Sequence, residues 1–153
     1  MSHPERPVAG RSFHIVDLEN LCGCGLPSVG EALSALEAYG AAAGRRPGDH
    51  GLIGLNRAAM AALAWHLPAG YRLVSGGTGA NAAERALLAS VEAAHLARCY
   101  DRVVIGSGDK AFCALAEALA KAGTAVTVVG RRSTIGRALA GLAGATVVLP
   151  RAA

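Results

Sequence analysis

The chain has 153 residues, of which 52% are hydrophobic and 17% charged, and its formal net charge is +4. This length and composition predict a single globular domain with its own core and exclude a chain that is disordered throughout. No uninterrupted apolar run approaches the roughly 18 residues of a membrane-spanning helix, so we expect no membrane contact. No apolar segment follows the N-terminal stretch MSHPERPVAGRS, and the lack of a secretory signal predicts a cytoplasmic protein.

The charge and the cysteines say little about a partner or a cofactor. A modest positive charge permits an anionic partner without demonstrating one. The four cysteines, Cys22, Cys24, Cys99 and Cys113, are expected to be thiols in a cytoplasmic chain. Cys22 and Cys24 lack a second CxxC or a His-x-His pair, so we predict loop or core cysteines rather than a zinc site.

Short apolar strands alternate with helices along the chain. We predict strands at 12–17, 51–55, 71–75, 102–106, 125–129 and 145–149. We predict helices at 28–43, with Ser28 as its cap, and at 57–67, 82–97, 110–122 and 133–141. The strands are continuous apolar runs, which is typical of a parallel sheet buried on both faces. The predicted fold is therefore one three-layer α/β/α domain over residues 12–149, with terminal tails at 1–11 and 150–153.

Three acidic residues follow predicted strands. Strand 12–17 ends in Asp17, and strand 102–106 continues through Ser107 and Gly108 to Asp109. Glu84 lies in the first helical turn after strand 71–75. Ligands of open parallel sheets bind at the carboxyl ends of the strands where the strand order reverses. If the first and fourth strands are neighbours, Asp17 and Asp109 lie side by side there. Each acid also has a structural interpretation as a helix cap or as a favourable charge at a helix N-terminus.

Convergence of these acids would indicate a metal site. Carboxylates in close contact raise one another's pKa unless a cation compensates. Mg²⁺ or Mn²⁺ prefers oxygen ligands, activates water and offsets charge on a phosphoryl oxygen. Ser107 and Asn20 are expected to orient water or substrate, and Glu19, in extended backbone, is a more distant supporting residue. The pattern predicts a hydrolytic phosphodiesterase site.

Basic residues are expected near the same edge of the sheet. Arg131 and Arg132 follow strand 125–129, and Ser133 opens the next predicted helix. Together with Lys110 they are candidate ligands for nucleic-acid phosphates, and ordinary exposed loop charges are the alternative. By contrast, Arg45 and Arg46 precede strand 51–55 and belong to the opposite edge.

Other motifs predict no further chemistry. His14, His50, His66 and His95 are scattered and are expected to be structural or surface residues. Aromatic residues are too few for a base-stacking platform. SGGTGA lacks the GxGxxG spacing of dinucleotide sites, and GSGD lacks the lysine and hydroxyl of a phosphate-binding P-loop.

The segments VDLENL, GANAAERALL, VVIGSGDKAF and AVTVVGRRS resemble the PIN-like nuclease superfamily, specifically its NYN branch, over residues 12–149. The resemblance implies a metal-dependent ribonuclease in which Asp17 and Asp109 bind Mg²⁺ or Mn²⁺ and Asn20 supports the site. Glu84 stands where the family usually has Asp, and Lys110 follows Asp109 where a further acid is common. These departures favour one metal ion over two.

The leading hypothesis is a metal-dependent endoribonuclease. Asp17, Glu84 and Asp109 would be its metal ligands and catalytic residues, with RNA as the partner and a homo-oligomer left open. One alternative is a catalytically weak or inactive RNA-binding module of the same fold. Another is a metal-dependent phosphatase with Asp17 as covalent nucleophile, although Asp17 and Glu19 form an imperfect DxD pair.

Overall fold

The structure, a computed structural model, describes residues 10–23, 27–77, 79 and 81–150. Cys24, most of the predicted N-terminal tail and residues 151–153 lie outside the described residues. Six strands form one sheet: β1 (Ser12–Asp17), β2 (His50–Leu55), β3 (Tyr71–Ser75), β4 (Arg102–Gly106), β5 (Ala125–Gly130) and β6 (Ala145–Val148). Their order is β3-β2-β1-β4-β5-β6, and every neighbouring pair is parallel. The first and fourth strands are therefore neighbours, and the strand order reverses between β1 and β4. This is the arrangement under which Asp17 and Asp109 were expected at the same place.

Helices cover both faces of this sheet and make the three layers. They are α1 (Leu18–Cys22), α2 (Val29–Ala43), α3 (Arg57–Leu63), α4 (Ala82–Ala89), α5 (Ala93–Cys99), α6 (Cys113–Lys121) and α7 (Arg137–Leu142). Adjacent strand residues point to opposite faces, so Ile15 packs in the core under α4 to α6 and Val16 in the core under α2 and α3. The predicted α/β/α architecture is confirmed.

Local signals explain where α2 begins. The Ser28 hydroxyl accepts a hydrogen bond from the Glu31 amide at 3.1 Å, and the Glu31 carboxylate accepts one from the Ser28 amide at 3.2 Å. This reciprocal pair satisfies two amides that the first helical turn would leave unpaired. The prediction that Ser28 caps this helix is confirmed.

The predicted helix 82–97 is wrong, because the structure contains two shorter helices in its place. The Ser90 hydroxyl donates to the Ala86 carbonyl at 2.7 Å, and the backbone becomes extended at Glu92 before α5 begins. A serine side chain that bonds to the backbone competes with continuation of the helix. The break leaves part of the sheet uncovered.

Three other helix boundaries differ from the prediction. The helix predicted at 110–122 starts as a 3-10 turn, Lys110–Phe112, and becomes α-helical only at Cys113. The helix predicted at 57–67 ends at Leu63, and the one predicted at 133–141 begins only at Arg137. Ser133 and Thr134 therefore lie in a turn before α7 rather than at its N-terminus. None of the helices in the described part of the chain combines the length and apolar character that crossing a membrane requires.

Candidate active site

Asp17 lies at the point where strand order reverses. It is the last residue of β1, is 1% exposed, and caps α1 by accepting a hydrogen bond from the Asn20 amide at 3.3 Å through Oδ1. Its second oxygen, Oδ2, is buried and accepts no hydrogen bond from a donor among the described residues. The neighbouring Glu84 carboxyl can hydrogen-bond to Asp17 only when one of the two acids is protonated. An unpaired buried oxygen typically costs about 1–3 kcal/mol. Such an atom needs a partner, and either a proton shared with Glu84 or a bound cation would supply one.

Glu84 approaches Asp17 from the layer above the same face of the sheet. It lies half-buried in the first turn of α4, which packs on β1, β2 and β3. Burial raises the pKa of Asp17 to about 7, and the adjacent Glu84 carboxylate contributes to the increase. The hydrogen bond from the Asn20 amide acts in the opposite direction, and Glu19 adds a further increase. Asp17 and Glu84 therefore form an electrostatically strained pair.

This pair fits a hard divalent cation. Two adjacent carboxylates, one of them buried, favour protonation unless a positive charge compensates. Mg²⁺ is commonly bound through only one or two carboxylates, with water and substrate phosphate as its other ligands. The unpaired Oδ2 of Asp17 and the Glu84 carboxylate supply that donor set.

Asp109 acts as a helix cap, which the sequence analysis gave as its structural alternative to metal binding. Its Oδ1 accepts a hydrogen bond from the Ala111 amide at 2.8 Å and caps the short 3-10 turn Lys110–Phe112. In the described part of the chain, no three His, Cys, Asp or Glu side chains form a group that could hold a metal ion. The structure thus brings Asp17 and Glu84 together, and Asp109 as a third ligand stays a prediction.

Asn20 connects the loops that follow three strands. Its side-chain oxygen accepts hydrogen bonds from the Gly108 amide at 3.1 Å and from the Thr134 hydroxyl at 3.4 Å. Gly108 packs directly against the backbone of Thr134 and Ile135, with no room for a Cβ atom. The hydroxyl of the buried Ser107 accepts a hydrogen bond from the Asp109 amide at 3.2 Å. Asn20 therefore holds the edge of the site together, a function that its spacing from Asp17 alone does not reveal.

Glu19 differs from its predicted position. The expectation of extended backbone is wrong, because residues 18–22 are helical. The Glu19 Oε1 accepts a hydrogen bond from the Asn56 amide at 2.8 Å. Asn56 in turn caps α3 by accepting the Ala59 amide at 2.8 Å. Sequence reasoning missed Asn56, although an Asn directly after a strand and before a helix is a usable capping signal.

Arg131 and Arg132 line an open groove on the α2 side of the same edge, and Lys110 lies outside it. Arg131 and Arg132 are exposed in the turn after β5, and the groove of about 1610 Å³ also contacts α2 and the end of β6. The Arg131 guanidinium lies against Gly23, where the lack of a side chain makes room for it. Lys110 is exposed at the 3-10 turn. Neither Asp17 nor Glu84 lines this groove.

Comparison with known proteins supports the fold and no activity. No family model and no curated protein matches this chain. Among solved structures, it is similar to a protein of unknown function from Vibrio parahaemolyticus, with a TM-score of 0.60 and 16% identity. The match covers 98% of this chain and 97% of that one. At this identity the likeness shows that the two chains share an α/β fold over nearly their whole length.

Proposed function

We propose that this protein is a metal-dependent endoribonuclease that hydrolyses RNA phosphodiester bonds. The observation that carries the proposal is the buried Asp17 carboxylate, which has one unpaired oxygen and lies against Glu84 where strand order reverses. A group whose pKa is strongly perturbed by burial and by a specific charged neighbour is a candidate functional residue. The resemblance of the motifs around Asp17, Glu84 and Asp109 to NYN nucleases supports the same activity.

Each polar residue at this edge has a proposed role. Asp17 and Glu84 would hold Mg²⁺ or Mn²⁺, which when bound lowers the pKa of a water and offsets charge on a phosphoryl oxygen. Asp109 is the proposed third ligand through Oδ2, the oxygen that its cap does not use. Asn20 keeps the loop at Gly108 in position.

Arg131, Arg132 and Lys110 are proposed to bind phosphates of the RNA, because they are exposed and cationic at the same edge of the sheet. Arg131→Ala and Arg132→Ala should each weaken RNA binding and reduce the slope of log K against log salt by about 0.7 for a single strand. Arg98→Ala on α5 is the control and should leave both quantities unchanged. Equal effects of all three substitutions would contradict a groove-specific interaction.

We favour the nuclease over the phosphatase alternative. A phosphatase of that type would use Glu19 as its second acid, and Glu19 lies near enough to raise the pKa of Asp17, but its Oε1 is already held by the Asn56 amide. The RNA-binding module remains the second candidate, because Lys110 stands where related nucleases often have a further acid.

Incubation of labelled RNA with Mn²⁺ tests the proposal directly. Wild-type protein should cleave the RNA, EDTA should stop cleavage, and Asp17→Asn or Asp109→Asn should reduce the rate by about 100-fold. Asn retains the ability to cap a turn, so these variants remove charge with little change in backbone structure. Glu117→Gln, an exposed carboxylate paired with Lys121, is the matched control and should cleave normally.

Wild-type cleavage no faster than that of the two aspartate variants would exclude the nuclease. If RNA binding persisted in that case, the protein would be an RNA-binding module. A trapped aspartyl-phosphate on Asp17 would instead establish the phosphatase.

A further inference from the structure

A second cavity lies at the opposite, amino-terminal edge of the sheet. It lies where α4 ends at Ala89 and α5 begins at Ala93, and there His50 at the start of β2 and Arg72 near the start of β3 are exposed. Its volume is about 410 Å³. This volume lies in the range of small-molecule sites, roughly 300–1,000 Å³.

The floor of the cavity is apolar and its rim is polar. The half-buried Phe13 supplies the accessible apolar surface and packs on Tyr100 with ring centroids 5.0 Å apart, while Leu52 and Leu96 lie beneath it and are almost fully buried. The rim contains His50, Arg72, Glu92 and His95. An apolar floor with a few polar groups above it is the usual composition of a ligand site.

His50 is held in one tautomer at this rim. Its Nδ1 lies 2.7 Å from the Tyr100 hydroxyl and 3.2 Å from Arg11 Nη2, so both donors share its single lone pair. An arginine nitrogen can only donate, so Nδ1 carries no proton and Nε2 does. The ring is also fixed edge-on against Tyr100, with centroids 5.9 Å apart. His50 therefore offers an Nε2–H donor that no described residue accepts.

Arg72 supplies an unpaired cation to the same rim. It is in register with Leu52 on the neighbouring strand, so its side chain extends from the same face of the sheet as the cavity floor. Arg72 is exposed and, within the described residues, makes no hydrogen bond or ion pair. Arg11 adds a second positive charge above the Tyr100 ring at 5.0 Å. Glu92 is the only acid of the rim.

We propose that this cavity binds a small organic anion whose apolar part contacts Phe13 and whose acid group is held by Arg72 and the Nε2–H of His50. A guanidinium and an N–H donor match a carboxylate or a phosphate oxygen. This site is independent of the proposed ribonuclease, because it lies at the other end of the strands.

Titration of ¹⁵N-labelled protein followed by NMR tests this site with three probes. The probes are 4-hydroxybenzoate, adenosine monophosphate and the neutral 4-hydroxybenzamide. We expect saturable shifts of the Gly51, Arg72 and Leu96 amides with at least one anion, and binding at least tenfold weaker with the neutral amide. The stronger of the two anions identifies the acid group as a carboxylate or a phosphate.

Variants locate the binding. Arg72→Gln should weaken binding of the preferred anion about tenfold, the loss of one charge-assisted hydrogen bond. Arg98→Gln and Asp17→Asn should bind it as the wild type does, and thermal melting of each variant confirms that it is folded. Absence of saturable shifts with both anions, equal binding of the neutral amide, or an unchanged affinity in Arg72→Gln would each overturn the proposal.

Discussion

Two buried aspartates at opposite ends of the sheet show how differently one fold treats the same side chain. Asp49, 4% exposed before β2, accepts hydrogen bonds from the Ser12 and Arg46 amides, both at 3.0 Å, and from His14 Nε2 at 2.9 Å. Asp17, 1% exposed at the end of β1, accepts one hydrogen bond and leaves its Oδ2 unpaired among the described residues.

The pKa values of the two groups shift in opposite directions. Burial opposes ionisation of Asp49, but the hydrogen bonds from His14 and the two amides outweigh it and lower the pKa of that carboxyl. Burial and the adjacent Glu84 raise the pKa of Asp17 to about 7. The Asp49 carboxylate is thus stabilised in its ionised form by hydrogen bonds and contributes to the stability of the fold. The Asp17 carboxylate is a destabilised one, which is a cost that proteins retain mainly at functional sites.

His14 links Asp49 to Tyr39 at the amino-terminal edge of the sheet. Burial lowers the pKa of its imidazole, and Nδ1 lies 2.7 Å from the Tyr39 hydroxyl of α2. The side chain is fully buried, which agrees with the structural role that the sequence analysis expected. The chain Asp49, His14 and Tyr39 therefore ties the loop before β2 to β1 and to α2.

The largest expected effect is a pH dependence of stability that originates at Asp17. Its pKa is near 7 in the folded protein and 3.8 as the reference for an unfolded chain, so protonation favours the folded state. In metal-free protein this stabilisation is fully present below about pH 4 and is lost as the pH rises to about 7, with a maximum near 4 kcal/mol. Urea denaturation between pH 4 and pH 8 measures it.

Asp17→Asn should remove this component and should be more stable than the wild type at pH 8. The other titrating groups are common to both proteins, so the difference between their two curves isolates Asp17. Parallel curves would show that Asp17 is not strained, and the contrast with Asp49 would disappear.

Asp49→Asn should act with the opposite sign. The substitution removes the charge that His14 and two backbone amides stabilise, so the free energy of unfolding at pH 7 should fall by about 3 kcal/mol. Chemical denaturation at pH 7 gives this number directly. A stability gain like that expected for Asp17→Asn would contradict the assignment of Asp49 to the fold.

A smaller effect tests the backbone packing that frames the candidate active site. Gly108→Ala places a Cβ against the Thr134 carbonyl, so the loops that Asn20 joins must move, at a cost of about 2 kcal/mol. Gly141→Ala in α7 is the matched control, because nothing lies near that position and alanine favours a helix. Equal stability of the two variants would show that the carboxyl edge adapts freely.

Much of the fold could be predicted from local patterns. The six apolar strands, the capping serine of α2 and the parallel architecture follow from residue periodicity, because a buried parallel strand leaves no polar alternation. The break at Ser90 could not be predicted in this way, because an apolar helical pattern continues through it. The Ser90 hydroxyl bonds to the Ala86 carbonyl where α4 ends, and Ser90 lines the second cavity.

The sequence by itself placed Asp17 at a strand end, Glu84 at a helix start and Asp109 after the fourth strand, all at one edge of the sheet. The tertiary structure decided which of these acids meet. Asp17 lies against Glu84, Asp109 caps its own turn, and Asn20 and Glu19 bond to loops far along the chain. The physical reason is that residue periodicity sets which face of an element a side chain is on. Hydrogen-bond partners instead depend on how distant segments are positioned relative to one another, to within a fraction of an ångström.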